Sequence, residues 1–183
     1  NTYFYNYPPK LPAENIQDSI FEEGTKILST HAFSQYEVSA FAQNSRKSSH
    51  NHNYWSFGDY LGIGSGAHGK LTLLNENKLI RTNKPKRPDH YMNHAVDSAT
   101  QLREISTEER TIEFLMNALR LKEGFSQNLF EVRTGNEFSV ISSKISKLIE
   151  SGFIETNKVH EEDFFCASNK GYRFLNTLLG EFL

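Results

Sequence analysis

"DYLGIGSGAHGKLTLL" (residues 59–74) decides how this chain is to be read. Gly64, Gly66 and Gly69 stand in the G-x-G-x-x-G order of a dinucleotide loop, which has to open a helix directly after its strand. Here β-favouring residues follow instead, and "NEN" (75–77) marks a turn. The same residues approach a phosphate loop, but Leu71 stands where a hydroxyl would have to ligand magnesium. Both nucleotide readings therefore fail. What remains is a predicted apolar strand that turns glycine-rich and resumes. Gly62, Gly64 and Gly66 would strip one of its faces of side chains, which lets a ligand or another stretch of backbone approach closely. "KLIRT" (78–82) is predicted to return as a hairpin partner.

Upstream, "NTYFYNYPPKLP" (1–12) reads as a strand ending in a proline-broken loop. Ile16, Ile20, Ile27 and Leu28 predict an amphipathic helix over 13–30. In "FSQYEVSAFA" (33–42), Tyr36, Val38 and Ala40 alternate with Glu37 and Ser39, the pattern of a strand. "QNSRKSSHNHN" (43–53) is polar and reads as a loop; on an extended segment His50 and His52 would point the same way. Downstream, "NKPKRP" (83–88) is a basic loop, and 90–102 is predicted helical. Lys78, Arg81, Lys84, Lys86 and Arg87 form a basic cluster that either grips carboxylates and phosphates or lines a solvated loop, the latter being the more common meaning.

A second unit begins with the capping-box pattern of Ser106 and Glu109. Ile112, Leu115, Met116 and Leu119 follow at helical spacing, and Phe138, Ile141, Ile145 and Leu148 form a later stripe closed by Gly152. "GFIET" and "DFFCAS" are strand candidates, and 170–183 is read as a final helix carrying Leu175, Leu178, Leu179 and Phe182. That order is winged-helix-like. Residues 107–183 carry nine Lys and Arg against twelve Asp and Glu, so the unit lacks the basic face of a nucleic-acid reader.

Composition narrows the classes further. With 37% hydrophobic and 23% charged residues, the 183-residue chain can build a core and is not globally disordered. The net charge of −2 calls for neither nucleic acid nor an anionic membrane. No apolar run is long enough to span a bilayer. Cys166 is the one cysteine, which excludes an internal disulfide and makes a cytoplasmic setting the expectation; it reads as buried and inert. His50, His52 and His68 lack carboxylate or cysteine partners at ligand spacing, and His90 and His94 lack the glutamate of a zinc-protease pattern. No metal ligand and no catalytic residue is assigned. The opening "NTYFYNYPP" reads as the middle of a longer protein.

"YNYPPKLP", "QYEVSAFA", "HNHNYW", "GDYLGIGSGAHG", "EFLMNALRLKEGF" and "NKGYRFLNTLL" occur in that order. Together they resemble the C-terminal part of the oxygen-independent coproporphyrinogen III oxidase family of radical S-adenosylmethionine proteins. "YEVSAFA" and "GAHG" look more like its haem-chaperone branch. The resemblance covers essentially the whole chain and implies an α+β architecture. Residues 1–105 would be the last strands and helices of a partial (β/α) radical-SAM barrel, and residues 106–183 a winged-helix-like C-terminal domain. It implies S-adenosylmethionine and a four-iron four-sulfur cluster in the full-length protein. The family's CxxxCxxC motif is absent here, so the chain alone is expected to hold no cluster, and the missing N-terminal barrel half is an expected partner.

Carried over by motif, Ala42 and His68 would contact S-adenosylmethionine, along with Gly64 and Gly66 of the glycine-rich strand. The oxidase branch has an aliphatic residue at the place of His68, so that carry-over is a departure. Glu37, His50, His52 and Tyr54 are the candidates for substrate or haem. The function implied is either oxidative decarboxylation of coproporphyrinogen III or haem binding and delivery, with a tetrapyrrole as the ligand. The rival is a non-enzymatic winged-helix interaction module. An exposed sheet edge would offer a route to a dimer.

Overall fold

The computed structural model describes residues 2–93, 100–159 and 161–183. The chain opens with one helical turn, α1 (Tyr3–Asn6), where a strand was predicted; Thr2 Oγ1 accepts from Tyr5 N and starts the turn. The expected helix is α2 (Glu14–Thr30). β1 (Phe33–Glu37) and β2 (Ala40–Gln43) are an antiparallel hairpin rather than one strand. The fold-back lies at Val38 and Ser39, where the Glu37 carboxylate accepts from Ser39 N at 3.0 Å.

The segment read as a polar loop contains α3 (Ser49–Trp55), capped by Ser48 Oγ accepting from Asn51 N at 3.3 Å. Two residues on a helix are about 200° apart, so His50 and His52 point apart rather than together. Residues 61–67 are not strand. Tyr60 bridges Lys70, and the chain then loops before β3 (His68–Leu73). β4 (Lys78–Asn83) returns as the expected hairpin partner, with Asn77 left-handed in the turn. Instead of one helix over 90–102 there is α4 (Pro88–Asn93) and then β5 (Gln101–Glu104), which pairs with β4. His94 lies outside the described residues.

The glycines of the loop serve the backbone. A Cβ on Gly62 would lie 2.2 Å from the His68 carbonyl oxygen. Gly66 N donates to Pro85 O at 2.7 Å, and Gly64 N donates to the Tyr91 hydroxyl at 3.1 Å. Of the two readings left open by the sequence, close approach of another backbone is the one observed at Gly62.

The second unit runs α5 (Thr107–Ala118), β6 (Phe125–Ser126), α6 (Gln127–Thr134), α7 (Ser139–Glu150), β7 (Ile154–Val159), β8 (Glu162–Ala167), α8 (Asn169–Arg173) and α9 (Leu175–Gly180). The capping box is formed on both sides: Glu109 N donates to Ser106 Oγ, and Ser106 N donates to the Glu109 carboxylate. The predicted last helix is broken at Phe174, which leaves helical geometry between α8 and α9.

The sheets are β1-β2, β3-β4-β5 and β6-β8-β7, and every ladder among the described residues is antiparallel. In the first unit β1–β2 and β3–β4 close locally as hairpins, and β5 pairs with β4 from further along the chain. The core crosses the expected 105/106 boundary. Phe57, Leu79 and Ile105 pack in one cluster with Phe114, Leu115, Phe125, Phe130, Ile141 and Leu178. The Phe114 ring meets Phe57, Phe125 and Phe130 edge-on at 5.9, 5.1 and 5.3 Å, the arrangement aromatic quadrupoles favour.

Candidate functional site: an arginine and tyrosine groove

The register of β3, β4 and β5 aligns Lys70 with Arg81, and Arg81 with Arg103. Residues directly opposite share a sheet face, so three cations lie in one lateral row. The neighbouring row is His68, Asn83 and Gln101. Like charges side by side repel, and each cation here has carboxylate compensation. Lys70 is buried and donates to Asp59 Oδ1 at 2.8 Å and to Phe57 O at 3.0 Å. Arg81 donates to Glu113 Oε2 through Nε at 3.2 Å and Nη2 at 2.5 Å. Arg103 donates to Glu109 from Nη1 at 2.7 Å.

Burial works against both charges of the Lys70–Asp59 pair. It pulls the Lys70 ammonium below its usual range despite Asp59. It would raise the Asp59 carboxyl, but hydrogen bonds from Lys70 and Thr72 outweigh it and hold that group below the ordinary value.

The outer part of this face is a groove of about 450 Å³ lined by Tyr54, Tyr60, His68, Arg81, Thr82, Asn83, Gln101 and Arg103. Tyr54 reaches it from α3, and its ring stands 5.0 Å from that of Tyr60. Burial, then the hydrogen bond with Tyr54, pushes the Tyr60 hydroxyl up to about 12, so it stays neutral. Arg81 Nη1 donates to that hydroxyl at 2.7 Å, so all three guanidinium nitrogens of Arg81 are engaged. Arg103 is over half exposed and its Nε has no partner among the described residues. Arg81 thus fixes the wall, whereas Arg103 can offer donors to a ligand. His68 is exposed at the strand start.

The other site candidates are dispersed. Glu37 is buried and held by Arg120, whose Nε donates to Oε1 at 2.7 Å; Arg120 also stacks on Trp55 at 4.4 Å. Ala42 is buried in β2, away from the groove lining. Gly64 and Gly66 sit in the loop with φ of 101° and 71°. His50 is exposed on α3, and His52 is bound to Glu123 at 2.6 Å. Of the candidates, only Tyr54 and His68 meet in one groove. Tyr60, Arg103, Lys70 and Glu113 were not singled out as site residues. Arg81 was, within the basic cluster, but a single chain pattern could not reveal its cross-strand row.

The donors present suit some groups and not others. A guanidinium with a free N–H, phenol rings and an exposed imidazole fit a flat, carboxylate-bearing ligand. They do not fit an iron–sulfur cluster. Cys166 is the one thiol; burial and nearby Glu155 push it up to about 11, and a cluster is held by several thiolates. Among the described residues no group of three or more His, Cys, Asp or Glu could hold a metal ion, and no helix is long and apolar enough to cross a membrane.

Residues 105–174 match the HemN C-terminal domain family. Over the whole chain, the haem chaperone HemW of Buchnera aphidicola subsp. Schizaphis graminum is 38% identical, and the chain covers 47% of it. The HemW proteins of Haemophilus influenzae and Escherichia coli are 38% and 36% identical over the whole chain, which covers 46% and 47% of them. The chain thus spans about half the length of these relatives. Coproporphyrinogen III oxidase HemN from Escherichia coli, a radical SAM enzyme, shares the fold with a TM-score of 0.61 at 14% identity, over 94% of this chain and 42% of that one. Residues 105–174 thus carry the HemN C-terminal domain, and over its whole length the chain is similar to about half of each of these HemW proteins.

Proposed function

We propose that the whole protein works in haem metabolism as a haem-binding and delivery protein, and that the groove of Tyr54, Tyr60, His68 and Arg103 is where this part of it meets the tetrapyrrole. The observation that carries the reading is the junction of Tyr54 and His68 with the Lys70–Arg81–Arg103 row. Tyr54 and Tyr60 supply flat apolar area, Arg103 supplies charge-assisted donors for a propionate, and His68 supplies an imidazole facing the macrocycle. The relatives described as haem chaperones support delivery over oxidation.

S-adenosylmethionine and a four-iron four-sulfur cluster belong, on this reading, to the remainder of the full-length protein, since the cysteine here cannot hold the cluster. Residues 106–183 act as a winged-helix-like cover for that assembly. Its support is the succession of α5, β6, α6, α7 and the β7–β8 hairpin, with β8 central in the sheet.

The test is to incubate the full-length protein with coproporphyrinogen III, a reductant and S-adenosylmethionine, and in parallel to titrate it with haem. The proposal expects stoichiometric haem binding without decarboxylation. Turnover to a divinyl product without haem binding would restore the oxidase reading.

A further inference from the structure

A second cavity, of about 600 Å³, opens at α3 and is walled in part by Lys47, His52, Ser56, Glu123 and Arg133. Its one carboxylate is already engaged. Glu123 Oε2 accepts from Lys47 Nζ at 2.5 Å, and Oε1 is bound to His52 Nε2 at 2.6 Å. Arg133, on α6, is different. Among the described residues its side chain makes no hydrogen bond or ion pair, and its Nε is shut off from solvent without an acceptor. Two fixed cations therefore face a single, committed carboxylate. Arg133 also lies near enough to Lys70 for the two charges to oppose each other.

The two terminal nitrogens of Arg133 also lack a partner among the described residues but stay open to solvent, so the guanidinium can take a ligand. Its planar fork matches the two oxygens of a phosphate or carboxylate, and a charge-assisted bond of that kind is among the stronger polar contacts. A bound oxyanion would meet those terminal nitrogens and balance the excess positive charge of Arg133 and Lys47.

We propose that this cavity is an oxyanion-binding site in which Arg133, flanked by Lys47 and His52, takes a small phosphate or carboxylate group. The site is separate from the tetrapyrrole groove and does not depend on that reading. α3 borders both cavities, with His52 at one and Tyr54 at the other.

The test is titration of the protein with inorganic phosphate and, separately, with acetate, at ionic strength held constant with chloride. Thermal unfolding and the NMR shifts of the His52 ring are followed together. One or both anions should give a saturable rise in Tm and a saturable His52 shift, and the anion that does so identifies the ligand class. Arg133→Gln should weaken binding by about tenfold or more, the loss of a charge-assisted contact. Glu123→Gln, which removes the competing carboxylate, should tighten it. An adventitious chloride-like response, with no saturation by either anion, overturns the site. So does wild-type affinity in Arg133→Gln. Should that variant fail to fold, unchanged or weaker binding in Glu123→Gln overturns it instead.

Discussion

Asp59 shows how much one side chain can organise. It takes the buried Lys70 ammonium on one oxygen, and its two oxygens accept from Thr72 N at 2.7 Å and Thr72 Oγ1 at 2.8 Å. Its carboxyl titrates below the ordinary value in the folded protein. A depressed carboxyl contributes stability that is fully present above the unfolded pKa and is lost as pH falls through the folded one. The contribution should therefore be complete at neutral pH and fade below about pH 4. Urea unfolding of wild type and Asp59→Asn across pH 7 to 2 checks this: the difference between them should shrink as pH falls, and a constant gap would show that Asp59 acts by packing alone. None of this was visible in the sequence, where Asp59 only opens a predicted apolar strand ahead of a glycine-rich run. Glu37 was visible, as a lone acid in an apolar strand, but its partner Arg120 lies far along the chain. Residue type can mark an anomaly of this kind; only the fold supplies what answers it.

At the scale of elements, patterns with a fixed local period were legible and patterns made by pairing were not. The helix over 14–30, the capped α5 and the β3–β4 hairpin follow from spacing, a cap and a turn. α3 was missed because its serine cap outweighs a weakly patterned polar sequence. The strand expected over 33–42 folds back because Glu37 bonds to Ser39 N. The glycine-rich segment was given a strand where the chain loops between Tyr60 and β3. Its glycines make different demands, which substitutions can separate. At Gly62 a methyl group would meet the His68 backbone, so Gly62→Ala should cost about 2–3 kcal/mol by overpacking. At Gly24, inside α2, nothing lies within 4 Å of an added Cβ, so Gly24→Ala should stabilise by about 0.5–1 kcal/mol. Urea midpoints of the two variants measure both, and a harmless Gly62→Ala would contradict the close crossing described.

The whole molecule holds together across the line at which the sequence suggested a division. Ile105 N donates to Leu79 O at 2.8 Å, and Phe57 and Leu79 enter the cluster built around α5 to α9. The two units share a core, so they should unfold together. Trp55, the sole tryptophan, reports the first unit by fluorescence, and far-UV circular dichroism reports the helices throughout. Phe114→Ala should lower stability by about 3–5 kcal/mol and shift both signals equally; separate transitions would restore independent domains. The same geometry brings the groove to the first unit while Glu113 on α5 neutralises Arg81 from the second.

The central claim is that this groove binds a tetrapyrrole through Tyr54, His68 and Arg103. Its most direct test is a haem titration of this chain followed at the Soret band, in wild type and in Tyr54→Ala, His68→Ala and Arg103→Gln. The account predicts one saturable site, weakened roughly tenfold by Arg103→Gln or Tyr54→Ala, with the band position altered in His68→Ala. Identical spectra and affinities in wild type and all three variants would contradict it.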